Sequence, residues 1–184
     1  MLFVVKYTGP WGFLKPWTAA RDEYIVSQKF LTPSIIEGIR IYLGVEAIVR
    51  HRLQWSGIDR QTETTEPRGY YRRWNKLGHK SILKRGVLVN PVLFLAFSNK
   101  KDAQKALHQH VSLCRNEDML FPTDHPIVMS EQAFDKIPGA ELLFGKHITP
   151  NHPQAIMVGY HHFADLQPMW GVLVRVKEAA CTPP

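Results

Sequence analysis

The sequence predicts an α+β fold, and three observations carry the prediction. Residues 2–8, "LFVVKYT", are rich in β-forming side chains and read as a first strand. Residues 31–44, "LTPSIIEGIRIYLG", read as a helix. Thr32 is its N-cap, Pro33 takes the first helical position, and Ile35, Ile36, Ile39 and Leu43 recur at helical spacing. Residues 86–97, "GVLVNPVLFLAF", read as one long strand, followed at 99–113 by a second helical pattern.

The remaining elements follow in order. Residues 9–17, "GPWGFLKPW", hold paired glycines and prolines and predict a turn-rich loop. Gly44 ends the first helix. Residues 47–58 read as a strand with Val49, Leu53 and Trp55 among its apolar positions. In the second helix Ala103, Ala106, Leu107 and Val111 form the inner face. Prolines and glycines break the pattern over 115–153, which predicts mostly loop, and "QAIMVGYHH" and "WGVLVRVKE" close the chain as two strands. The order matches the ferredoxin-like βαββαβ pattern, with a basic arm at 61–85 inserted between the second and third strands of a single domain, 1–184. Such a fold hosts many activities and does not name one.

Charge is more informative. The chain carries 23 Lys and Arg against 16 Asp and Glu, a net charge of +7. Residues 68–85, "RGYYRRWNKLGHKSILKR", hold seven basic side chains and no carboxylate, so the rest of the chain is neutral. A local excess of this kind points to a polyanion, whereas dispersed charge would give only solubility. Cys114 and Cys181 lie far apart, which argues against a disulfide framework or a zinc finger. The apolar start is too short for a signal peptide and is interrupted by Lys6, and no apolar run reaches membrane-spanning length. A cytoplasmic protein with no membrane partner is expected.

Arginine binds phosphate through its planar fork, and unpaired bases stack on aromatic rings. Tyr70, Tyr71 and Trp74, interleaved with Arg68, Arg72 and Arg73, are the composition that single-stranded RNA calls for. The plainer alternative is a solvated hairpin whose rings pack on the domain. A membrane-surface helix is disfavoured because Gly69 and Gly78 interrupt it. No Gly-rich phosphate loop, G-x-S-x-G elbow or H-E-x-x-H motif is present. His108 and His110 do not share a helix face, and His161 and His162 fall on opposite faces of a strand, so no metal site or catalytic residue is expected. His79, beside Lys80, is the histidine best placed to act as a base on RNA.

The segment from Val5 onward, with Gly9, Pro10, Trp11 and Gly12 in its loop, Arg21, and Thr32-Pro33-Ser34 followed by Gly38, resembles the N-terminus of the CRISPR-associated Cas-five family. "SILKRGVLVNPVLFLAF" is similar to that family's third strand, and the resemblance covers about the first hundred residues. It implies the RAMP version of the ferredoxin-like fold. The implied role is a subunit of a crRNA-guided Cascade complex that grips the 5′ handle, caps a filament of Cas-seven-type backbone subunits and serves antiviral defence. It leaves open contact with a large subunit and target DNA. By this resemblance Arg21 and Ser34 fix phosphates. Trp11 and Lys15 of the loop, and Arg68, Tyr71, Arg72, Arg73, Trp74, Lys76, His79, Lys80, Lys84 and Arg85 of the arm, contact the strand. Members that cut precursor RNA carry a tyrosine six residues after the helix glycine. Here that position is Gly44, so a non-catalytic protein without cofactor is expected. The alternatives are a metal-independent crRNA-processing endoribonuclease and a protein-assembly module whose arm binds an acidic partner.

Overall fold

The computed structural model describes residues 1–16, 24–64, 82–145, 148–161 and 166–177, and the backbone alone of 70–71 and 76–77. The chain begins with β1 (Leu2–Thr8), β2 (Trp11–Gly12), β3 (Tyr24–Val26), α1 (Pro33–Leu43) and β4 (Arg50–Gln54). Next come β5 (Gly57–Thr64), β6 (Tyr70–Tyr71), β7 (Lys76–Leu77), β8 (Ile82–Val89), β9 (Val92–Phe97) and α2 (Lys100–Ala106). The last third contains β10 (Val111–Ser112), β11 (Met119–Pro122), β12 (Ile127–Met129), α3 (Glu131–Asp135), β13 (Gly139–Phe144), β14 (Ala155–His161) and β15 (Gln167–Val176).

This is a mostly β protein, with fifteen strands and three helices among the described residues, and it corrects the ferredoxin-like βαββαβ expectation. Nine strands form one sheet in the order β10-β11-β1-β9-β4-β13-β15-β14, with β12 also paired to β1. A second sheet of four strands is built around β8, and β6 and β7 form a separate pair. Two physical reasons account for the difference. Asn90 takes a left-handed conformation (φ 46°) ahead of Pro91, which breaks the apolar run 86–97 into two strands, β8 in the four-stranded sheet and β9 in the nine-stranded one. The segment 115–153, expected to be mostly loop, adds β11, β12, α3 and β13, whose short lengths carry little periodic signal.

Local signals hold where they are strongest. Thr32 caps α1 by accepting from the Ile35 amide, and Gly44 ends it at φ 62° with its N–H returned to the last turn. The second helix is shorter than its pattern, because α2 stops at Ala106 and Val111 lies on a strand. Alternation along the nine-stranded sheet divides the interior in two. One face gathers Val5, Tyr7, Leu53, Leu93, Leu95 and Phe97 with Ile36, Ile39, Leu43, Ala103 and Ala106 of the two longer helices. The other packs Leu2, Val4, Phe94 and Ala96 against Phe134 of α3. Burying a side chain of this kind contributes about 1.5–3 kcal/mol.

Charge is also buried on the second face. Arg50 and Arg52 lie on β4, and Glu141 of β13 accepts from both, at 2.8 and 2.9 Å from Arg50 and 3.1 Å from Arg52. Arg50 also reaches Asp135 at 2.8 Å, and both guanidinium groups lie over the Phe134 ring. His51, one residue along, turns to the opposite face beside Phe144, where its Nε2 is buried without a hydrogen-bond partner. Burial pushes its pKa down to about 4, against an ordinary value of 6.5.

A pH dependence follows from this depressed value. The unfolded chain binds a proton on His51 below about pH 6.5, whereas the folded chain resists it until about pH 4. Stability is therefore full above pH 6.5 and falls through that window by about 3 kcal/mol. Urea unfolding of the wild type and of His51→Leu at pH 7, 6, 5 and 4 checks this. The variant should lose this part of the slope.

Candidate nucleic-acid interface

Between β4 and β9 the chain leaves the large sheet and builds the arm. β5 and β8 pair antiparallel over their whole length, from Gly57 opposite Val89 to Thr64 opposite Ile82. β3 adds to the other edge of β8 in parallel, with Tyr24 opposite Lys84 and Val26 opposite Gly86, and β2 pairs Trp11 with Val89. The arm thus begins four residues before Gln61, as a wide three-stranded ribbon rather than a simple excursion. Further out, Tyr70 pairs with Leu77 and Tyr71 with Lys76.

Alternation sorts the ribbon's side chains onto two faces. Gln61, Glu63 and Arg85 share the inward face. There Arg85 binds Glu63 at 2.6 Å and lies over the Phe13 ring, while Arg115 reaches Gln61 and is held at 2.6 Å by Asp118. Ile58, Arg60, Thr62 and Thr64 share the outward face and are exposed. The register places Lys84 and Tyr24 on that same face. The Arg60 guanidinium lies 4.9 Å from the centre of the Tyr24 ring, and both are exposed. Gly86 sits between them. A Cβ there would meet the Tyr24 hydroxyl at 2.9 Å and the Val26 Cα at 3.3 Å, so its glycine lets β3 lie close against the ribbon. Among the described residues the outward face of the three strands carries cations and an aromatic ring and no carboxylate.

The expected contacts fall out as follows. Trp11 is exposed on the edge of β8, and Lys15 is exposed in the loop that follows. Ser34 is exposed in the first turn of α1, where its hydroxyl shares a hydrogen bond of 3.0 Å with Thr32 and leaves the capping to that residue. The register puts Lys84 on the outward face, and Arg85 on the inward face binds Glu63. Tyr71 and Lys76 are paired through their backbones. Arg21, Arg68, Arg72, Arg73, Trp74, His79 and Lys80 lie outside the described residues.

Tyr24 and Arg60 were missed by the sequence reading. The alternation of "GIDRQTET" carries the signal for Arg60, since it makes a strand with one exposed polar face. Nothing local marks Tyr24, which arrives by a parallel pairing across some sixty residues of chain.

Among the described residues no group of three or more His, Cys, Asp or Glu could hold a metal ion. No helix among them is long and apolar enough to cross a membrane. No protein-family model matches the chain, and no curated protein sequence matches it either.

Proposed function

We propose that this protein is an RNA-binding subunit of a CRISPR-Cas surveillance complex in the cytoplasm, where it holds the 5′ handle of the crRNA, in defence against viruses and plasmids. The observation that carries the reading is the outward face of the arm. Among the described residues it bears Tyr24, Arg60 and Lys84 and no carboxylate, on the ribbon that leads into the basic stretch 68–85. Phosphates are neutralised by the cations, and a base stacks on the exposed tyrosine or on a guanidinium plane. The motif resemblance adds the crRNA handle as the particular strand. Its loop 9–12 runs beside the arm through the pairing of β2 with β8, and its helix start is capped by Thr32.

Docking to Cas-seven-type neighbours has a surface available in Ile41, Tyr42 and Phe121, which are 63%, 52% and 53% exposed. Their apolar area is the kind that subunit contacts cover. Holding without cutting is favoured at Gly44. Its left-handed φ of 62° suits glycine, and a tyrosine in its place would be strained.

The test is a gel-shift with a single-stranded, repeat-derived RNA in the presence of a chelator, with the same gel read for cleavage. The expected result is a shifted, intact RNA, and a weaker shift when Arg72, Arg73 and Trp74 are changed together to alanine. A cleavage product in chelator would replace this reading with the processing endoribonuclease. No shift, with an acidic protein captured instead, would replace it with the assembly module.

A further inference from the structure

A second feature lies where β3 passes from the arm toward α1. A groove of about 410 Å³ opens between residues 26–30 and the large sheet, walled by Val26, Phe30, Trp55 and Leu173. Val26 and Leu173 are 38% and 43% exposed, so its apolar wall faces solvent. Lys29 and Arg175 also line it, each with its charge 6.0 Å from the centre of the Trp55 ring. No carboxylate lines the groove, and no ion pair joins either cation to an acid among the described residues.

A ligand that suits these walls has a flat apolar part and an anionic part. The aromatic and aliphatic side chains remove a ring from water, while the two cations beside the Trp55 ring attract phosphate. A nucleotide has both parts. The groove is also continuous with the outward face of the arm, because Val26 and Tyr24 lie on the same face of one short strand. A single strand following that face reaches the groove without turning back.

We infer that the groove formed by Trp55, Leu173, Val26, Lys29 and Arg175 is a second contact for single-stranded RNA, taking one base against its apolar wall and the adjoining phosphate between Lys29 and Arg175. The inference rests on the RNA-binding reading above but on different residues, so the two fail separately. Both cations are exposed and outside the core, which leaves the fold of a double alanine variant intact.

The experiment is equilibrium binding of a repeat-derived RNA across a salt series by the full chain and by Lys29→Ala/Arg175→Ala, with 4-thiouridine crosslinking mapped by mass spectrometry. Circular dichroism verifies the fold of the variant. The expected result is a crosslink on the peptide holding Trp55 or on that holding Val26, and a salt slope reduced by about 0.7, the value for one phosphate contact on a single strand. An unchanged slope and crosslinks confined to the arm would overturn the groove and leave the RNA-binding reading standing. If the wild type binds no RNA, both are overturned. If the variant instead loses binding to vesicles of anionic lipid while its RNA affinity is unchanged, the groove is a lipid contact and the inference is wrong.

Discussion

Glu141→Ala is expected to destabilise the protein by about 3–5 kcal/mol, because it leaves a buried guanidinium without its counter-charge. Both oxygens of this carboxylate are fully used. One accepts from Arg50 and from the His51 backbone amide, the other from Arg50 and Arg52. The side chains of Arg52 and Glu141 are each 1% exposed, so water cannot replace what is lost. Arg52 would keep the Ile137 carbonyl and the face of Phe134, while its Nε already has no partner. Burial disfavours the charge on Arg52, and Glu141 is the nearest group that opposes that effect.

Thermal unfolding at neutral pH reads the effect, expected as a fall in Tm of roughly 10 °C for a chain of this size. Glu141→Leu combined with Arg52→Met should recover part of the loss, since it removes the stranded charge along with its partner. A fall of less than about 1 kcal/mol in the single variant would show that the cluster is hydrated and contributes little.

The second large effect concerns binding. Tyr24→Ala is expected to weaken single-stranded RNA binding by about 1–3 kcal/mol, the usual cost of removing a stacking ring, which is roughly a 5- to 150-fold rise in Kd. Arg60→Ala should lower the salt slope by about 0.7, since one phosphate contact is lost. The two residues touch, so their effects should not add. Asp59→Asn serves as the comparison, because Asp59 alternates away from Tyr24 and its carboxylate accepts from the adjacent Arg60 amide. Its effect should be small. Equal losses at Asp59 and Tyr24 would mean that the outward face is not what the RNA touches.

Parts of this molecule are written in local chemistry and parts are not. Helix α1 was legible because Thr32, Pro33 and Gly44 act within a few residues of the turns they shape. The break at Asn90, where the chain passes from one sheet to the other, was hidden because the apolar side chains on both sides of it look like one run. Trp55 and Ser56 likewise hide the break between β4 and β5, where the chain leaves one sheet for another. Strands β11 to β13 owe their place to partners far away in the chain, and short edge segments carry little periodicity of their own.

The same distinction runs through the interface. Composition located the arm, but it could not tell a free arginine from a paired one. Composition and resemblance mark Arg85 as an RNA contact, yet alternation turns it inward to Glu63, while Arg60 faces out beside a tyrosine from a distant strand. Lys29, Trp55 and Arg175 are brought together only by the pairing of the sheet, which no motif records.

RNA holding by the arm is tested most directly by the affinity of the wild-type protein for a single-stranded, repeat-derived RNA, followed by fluorescence anisotropy from low to moderate salt. The account predicts saturable binding whose log Kd rises linearly with log salt, with a slope of several phosphate contacts at about 0.7 each. Absence of binding at low salt, or binding indifferent to salt, would contradict it.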